Sequence, residues 1–312
     1  MMKIYLKTVR DKKMKEISTI KKGCWIKLVN PSMEEIRKIK EELKLPTDFI
    51  LSPLDHDERP RIERKGGKIL IIIRVPHKMF RAGEREVLTI PLGLIVLRDC
   101  IVSICRYDDE ITKSLEEGRV KPFYTTQKTR FLLYVFKQTN YLYNKYLEEI
   151  EREIRRIESF VVTSLKNEEI IRLLNFQKTL VYFNASIIAN DKVFERIARG
   201  KLMKLYERDQ DLIEDIVLDN REIMESVEVF SNILSNTMDA YASIVSNNLN
   251  IVMKMLTVFT IILSIPTIIF SAYGMNVRLP MQYHPFTFWM LWTISFLISL
   301  WLLWVFKKIR WM

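Results

Sequence analysis

Carboxylates disappear from the end of this chain. Of 312 residues, 38 are Asp or Glu, yet none lies between Ala240 and Met312. The residues before that point are densely charged with both signs, so two solvents are implied, water first and lipid last. Glycine and proline are also scarce, at eight and ten. From Phe123 to Ile265 there is no proline and one glycine, Gly200, whereas seven prolines and six glycines fall in the first 122 residues. A stretch so short of breakers reads as long helices, with the boundary to a mixed domain near Pro122.

Other shortages narrow the function. Three cysteines, Cys24, Cys100 and Cys105, make no CxxC pair and no even framework, which points to buried thiols in a reducing compartment. His56, His77 and His284 are too scattered for a zinc cluster. The charged stretch Met1 to Ser18 lacks the apolar core of a cleavable signal peptide. No nucleophile and base pair, phosphate loop or metal-hydrolase spacing is found, so no enzyme is expected. A net charge of +11 raises the question of a nucleic-acid partner. Lys and Arg are dispersed among acids with no aromatic-basic stripe, so no nucleic acid is expected, and a cytoplasmic-side bias accounts for the excess.

In the first part, Ile4 to Val9 alternates as a strand and Cys24 to Val29 forms a second. Lys68 to Val75 and Leu92 to Arg106 are β-branched runs of the kind found in buried strands. Asn30-Pro31-Ser32 opens a helix through Leu43, with Glu34 and Glu35 at the positive end of its dipole. Strands interleaved with helices predict an α/β layer domain. Phe123 to about Arg199 reads as long charged helices with solvated faces and i,i+4 pairs. Beyond Gly200 a helix runs from about Leu205 toward the membrane. Its apolar residues Ile223, Val227, Phe230, Leu234, Met238, Tyr241, Val245 and Val252 keep a seam spacing of three and four. At ~1.5 Å per residue it reaches on the order of 100 Å.

Met255 to Ala272 and Phe286 to Phe306 are long and apolar enough to span a bilayer. The Tyr273 to Pro285 connection makes them a hairpin. Its loop carries only Arg278, whereas Lys254 precedes the first helix and Lys307, Lys308 and Arg310 follow the second, which places both termini in the cytoplasm. Two helices cannot enclose a water-filled path, so conduction requires an oligomer. Along the first helix Asn250, Met253, Thr257, Thr260, Ser264, Thr267, Ser271 and Gly274 repeat every seven residues as one small or polar stripe. Such a stripe either lines a path or hydrogen-bonds a neighbouring helix. Its continuation past the apolar section at both ends favours lining.

The stripe ends at Tyr273-Gly274-Met275-Asn276. Further up the chain come Trp25-Ile26-Lys27-Leu28-Val29-Asn30-Pro31, Glu58-Arg59-Pro60-Arg61-Ile62-Glu63, Leu180-Val181-Tyr182-Phe183, Asn190, Asn250 and Met253-Lys254-Met255-Leu256-Thr257. In these blocks, over nearly its whole length, the chain resembles the CorA family of divalent-cation channels. The resemblance implies a homopentamer in a plasma (inner) membrane, of α+β class: an α/β/α cytoplasmic funnel with a long stalk helix and a two-helix transmembrane domain. It divides the chain into an α/β domain at 1–122, funnel helices at 123–204, a stalk at 205–254 and a membrane domain at 255–312. The membrane domain holds a first helix at about 255–273, a loop at 274–285, a second helix at about 286–306 and a basic tail.

The resemblance also implies roles. Gly274 and Met275 shape the outer mouth, and a ring of Asn276 meets the hydrated cation. Asn250, Met253, Leu256 and Thr267 match pore-lining positions, with Met253 and Leu256 as apolar constrictions. Ser264 stands where a second methionine can occur, and Arg278-Leu279-Pro280-Met281-Gln282 replaces an acidic segment. Mg²⁺ sheds water reluctantly, so neutral amide, hydroxyl and carbonyl oxygens suit the hydrated ion, while Co²⁺ and Ni²⁺ remain open as cargo. A Zn²⁺ carrier of the same family and a non-conducting membrane-anchored coiled-coil sensor are the alternatives. Asp211, Asp215 and Asp219 share one helix face at i, i+4, i+8, near Asp209. That face is either solvated or relieved of repulsion by a divalent ion. In the family, cytosolic Mg²⁺ bridges stalk and funnel acids of neighbouring subunits and holds the channel shut; Asp215 matches best on the stalk, with Asp55 and Asp57 as nearby partners.

Overall fold

The computed structural model describes all residues except 12, 82–83, 120–123, 161–166, 201, 204, 278, 282, 310 and 312. It divides into two compact units, Met1–Ser235 and Asn236–Met312.

The first unit is built on a seven-stranded mixed sheet. Its strands are β1 (Met2–Leu6), β2 (Lys15–Glu16), β3 (Cys24–Val29), β4 (Arg61–Lys65), β5 (Lys68–Arg81), β6 (Glu84–Val96) and β7 (Cys100–Cys105), in the order β2-β1-β3-β7-β6-β5-β4. Among the described residues only the β3–β7 pair is parallel. Those two strands are also the most thoroughly buried, as a parallel pair covered on both faces must be.

One face is covered by α1 (Met33–Leu43) and α2 (Thr47–Leu51), followed by a 3-10 turn at Ser52–Leu54. Ile26, Leu28, Val102 and Ile104 of the sheet share a core there with Ile39, Phe49 and Ile50. Ser32 starts α1 with a full capping box: its hydroxyl accepts from the Glu35 N–H, and the Glu35 carboxylate accepts from the Ser32 N–H. Gly93 lets the turn approach, since a Cβ there would lie 2.2 Å from Pro53 Cγ.

The other face carries α4 (Lys128–Phe160) and α5 (Asn167–Ala198), with the short α3 (Glu110–Glu116) capped by buried Asp109. Trp25 packs on Phe131 at 5.2 Å between ring centroids and donates its indole N–H to Ser103. Tyr143 meets Phe183 edge-on at 5.0 Å. The start of α6 (Glu207–Tyr273) adds to this layer, where Asn140 donates to the Ile216 carbonyl at 2.8 Å. The arrangement is α/β/α, as expected.

Local differences have physical causes. The run Leu92 to Arg106 is two antiparallel strands, β6 and β7, turned at Arg98-Asp99 and closed by the Leu97 N–H to the Cys100 carbonyl. Neither turn residue is Gly or Pro, so nothing punctuates the apolar run. β5 continues past Val75 through Pro76 because β4 pairs with it only as far as Ile72. At Arg74 the outward N–H already bonds Asn190, and Pro76, two residues on, aims its nitrogen toward the same strand-free edge. The predicted first strand ends at Leu6 rather than Val9.

The second unit contains the end of α6 and α7 (Thr287–Lys308), which among the described residues are the two helices long and apolar enough to cross a membrane. Phe270 and Phe288 lie 6.3 Å apart between ring centroids.

Candidate ion path and regulatory acids

The polar stripe lies within a broad exposed surface of α6 that also carries Ile261, Leu263 and Ile268. Asn250, Met253, Leu256, Thr257, Thr260, Thr267 and Ser271 are exposed and Ser264 is half-buried. Val258 is buried, and Ile262, Ile265, Ile269 and Tyr273 are partly so. At about 100° per residue that apolar row falls roughly half a turn from the stripe. The buried side of the helix is therefore apolar, and the Ser and Thr residues are turned away from it.

Four stripe hydroxyls are already engaged within the helix. Thr257 donates to the Met253 carbonyl at 2.8 Å, Thr260 to Leu256 at 2.8 Å, Ser264 to Thr260 at 2.7 Å and Thr267 to Leu263 at 2.9 Å. With each proton committed to the backbone, the remaining lone pairs are available, and the row presents acceptors. Neutral acceptors can hold the water shell of a cation without stripping it.

Pro266 was not singled out from the sequence, although a proline within an apolar helical run is a legible signal. It has no N–H for the Ile262 carbonyl, yet it sits inside α6. Both residues lie on the partly buried side, opposite the stripe.

At the helix end the Gly274 N–H bonds the Phe270 carbonyl at 2.9 Å. A Cβ on Gly274 would lie 3.3 Å from that same oxygen, so the chain leaves the helix through a position with little room for a side chain. Met275 and Asn276 follow in an exposed bend. The loop is tied from both sides: the Tyr273 hydroxyl donates to the Pro280 carbonyl at 3.4 Å, and the Thr287 hydroxyl to the Met281 carbonyl at 2.6 Å. Arg278 and Gln282 lie outside the described residues.

In the first unit Asp211 and Asp215 are exposed and Asp219 is half-buried on α6, while Asp209 is buried and pairs with Arg130 at 3.4 Å. Asp55 and Asp57 are exposed in the turn after the 3-10 segment. Asp55 accepts from the Asp57 N–H at 3.1 Å. Arg74, half-buried, reaches under this turn and donates to the His56 and Glu58 carbonyls, each at 3.0 Å. Among the described residues of one chain, no group of three or more His, Cys, Asp or Glu gathers as a metal cluster. No three of the five candidate acids are thus gathered within a protomer.

Several residues of the resemblance blocks are packing groups. Leu180 and Phe183 are fully buried while Val181 and Tyr182 are exposed. Lys27 is buried and pairs with Asp108 at 2.8 Å and Glu116 at 3.0 Å.

Known proteins resemble this chain over most of its length. Residues 21–308 match the family model described as CorA-like Mg2+ transporter protein. The cobalt/magnesium transport protein CorA of Methanocaldococcus jannaschii is 28% identical over 297 residues, covering 92% of this chain and 90% of that protein. The protein of the same name from Thermotoga maritima is 26% identical over 231 residues, covering 72% and 64%. The complete structure of the M. jannaschii CorA magnesium transporter superposes with a TM-score of 0.83 over 100% of this chain and 98% of its own, at 23% identity. The family match spans β3 to β7, the long helices and both apolar helices, and on that basis the chain belongs to the CorA-like Mg²⁺ transporter family and is a membrane-embedded transporter of divalent cations.

Proposed function

We propose that the protein is a homopentameric channel for passive, potential-driven Mg²⁺ influx, with Co²⁺ or Ni²⁺ as further cargo. The observation that carries this reading is the placement of the stripe opposite the apolar, partly buried side of α6. A Ser and Thr row that served only to bind α7 would be expected on that buried side. Copies arranged about an axis would bring their stripes together around one path. Met253 and Leu256 then form apolar constrictions, and the amide oxygens of Asn276 form an acceptor ring at the mouth, held by the turn at Gly274 and Met275. Because no carboxylate follows Asp239, selection rests on neutral oxygens and favours an ion that keeps its water.

Closure is assigned to cytosolic Mg²⁺ bound between subunits by Asp211, Asp215 and Asp219 of one and the Asp55 and Asp57 turn of the next. The cytoplasmic placement of both termini and the four-part domain division belong to the same reading. Mg²⁺ uptake into liposomes containing the purified protein tests it. Wild type takes up Mg²⁺ and Asn276→Ala does not; equal uptake by both removes Asn276 from the filter. A competition series with Zn²⁺ separates the Mg²⁺ reading from a Zn²⁺ carrier, and absence of any flux supports the non-conducting sensor.

A further inference from the structure

Two of the three cysteines face each other. Cys24 opens β3, Cys100 opens β7, and the parallel register sets them directly opposite. Both belong to the apolar cluster on the α1 and α2 face of the sheet, together with Ile26 and Val102. Neighbouring strands run about 4.8 Å apart, which lies within the roughly 4.4–6.8 Å Cα separation a disulfide spans. The pair is enclosed but close to the surface, since the exposed residues Lys21-Lys22 and Arg98-Asp99 lead into the two strands. The Gly23 N–H bonds the Asp99 carbonyl and ties those approaches together.

The thiols are chemically unequal. The neighbouring Cys100 thiol holds the Cys24 thiol below its ordinary value in spite of burial, while the Cys24 sulfur and burial push Cys100 up. Ionisation of the pair is therefore favoured at Cys24 over Cys100. Cys105 is different: it closes the far end of β7, donates its S–H to the Pro91 carbonyl at 3.3 Å, and is pushed up by burial.

We propose that Cys24 and Cys100 form a reversible dithiol/disulfide pair, oxidised by a small two-electron oxidant such as a hydroperoxide, that staples β3 to β7. The Cys24 thiolate attacks one peroxide oxygen, the O–O bond breaks, and the other oxygen leaves with a proton as water or alcohol. Cys24 is then a sulfenic acid. The Cys100 sulfur attacks the Cys24 sulfur, the S–S bond forms, and the hydroxyl leaves as water with the Cys100 proton. Two electrons pass from the sulfurs to the peroxide. The staple closes the chain from residue 24 to residue 100, a loop holding α1, α2 and β4 to β6, and restricts the unfolded chain accordingly.

Full-length protein in detergent, treated with hydrogen peroxide, then denatured and alkylated with iodoacetamide, tests this by mass. Reduced protein takes up three alkyl groups, one per cysteine. Oxidised protein is expected to take up one, on Cys105, with a peptide linking Cys24 to Cys100; dithiothreitol restores three. The oxidised form should melt higher by on the order of 5 °C. Cys105→Ala should still lose two thiols on oxidation. Retention of three alkylatable thiols, a link through Cys105, a link between chains, or sulfinic acid without a cross-link overturns the proposal.

Discussion

Asn190 holds Arg74 by both of its backbone polar groups: the Asn190 side-chain oxygen accepts the Arg74 N–H at 2.9 Å, and its amide donates to the Arg74 carbonyl at 2.8 Å. The side chain of α5 thereby replaces a missing strand at the free edge of β5. Tyr143 adds a hydroxyl donor to the same carbonyl at 3.0 Å. Asn190 is 1% exposed, so no water can stand in for it readily. Asn190→Leu is expected to destabilise the first unit by about 2–3 kcal/mol, since buried backbone groups lose their partner. A chemical-denaturation midpoint equal to wild type would show that the edge is satisfied some other way.

The stripe hydroxyls satisfy their own donors, so removing them should alter transport more than folding. Thr260→Val and Thr267→Val are expected to preserve thermal stability within a few degrees while lowering Mg²⁺ flux in liposomes. Val258→Asn, on the buried side, should do the reverse and lower stability, because it buries an amide without a designed partner. Equal flux across all three would separate the stripe from conduction.

Asp215→Ala is expected to weaken inhibition by internal Mg²⁺ and leave unidirectional flux at low internal Mg²⁺ near wild type. Flux measured against internal Mg²⁺ concentration checks this. A curve superposable on wild type would assign Asp215 to a solvated helix face.

Glu116 gives the protein an acid-sensitive joint. Burial opposes its ionisation, but hydrogen bonds from Tyr5, Lys27 and Lys3 outweigh that and bring its carboxyl down to about 2. A depressed carboxyl contributes stability above its unfolded value of roughly 4.3, and loses it as pH falls toward the folded value. Wild type should therefore lose stability progressively between about pH 4.5 and 2. In Glu116→Gln that part of the pH dependence should be absent from denaturation midpoints, and the variant should be less stable at neutral pH.

Gly93→Ala tests the close approach of the 3-10 turn. The new methyl would lie 2.2 Å from Pro53 Cγ and 2.6 Å from Pro53 Cβ, so ring and strand must separate. A loss of about 1–3 kcal/mol is expected. An unchanged melting temperature would mean that the turn yields freely.

Legibility in the sequence followed the range of the interactions involved. The helix opened by Asn30-Pro31-Ser32, the apolar helices and the helical stretch after Pro122 depend on neighbours a few residues away, and they lie close to their expected ends. The β6–β7 hairpin was missed because its turn has no Gly or Pro. Passage of β5 through Pro76 was missed because it depends on where β4 stops pairing. For the ion path, the heptad spacing showed one stripe but could not say which way it faced. The candidate acids at residues 55, 57, 211, 215 and 219 rest on charge and resemblance, and among the described residues of one chain no three of them gather as a metal cluster.

The order of residues is enough to establish two long apolar segments joined by a short connection, a carboxylate-free stretch after Asp239 and family membership, because apolar length, charge and short motifs are properties of contiguous chain. It is not enough to pair Cys24 with Cys100, to join Asn190 to Arg74, or to turn the stripe away from the buried side of α6. Those relations join residues far apart in the chain, or depend on which helix face packing covers. Strand register and packing of apolar faces bring such residues together or turn them apart, and both exist only once the chain has folded.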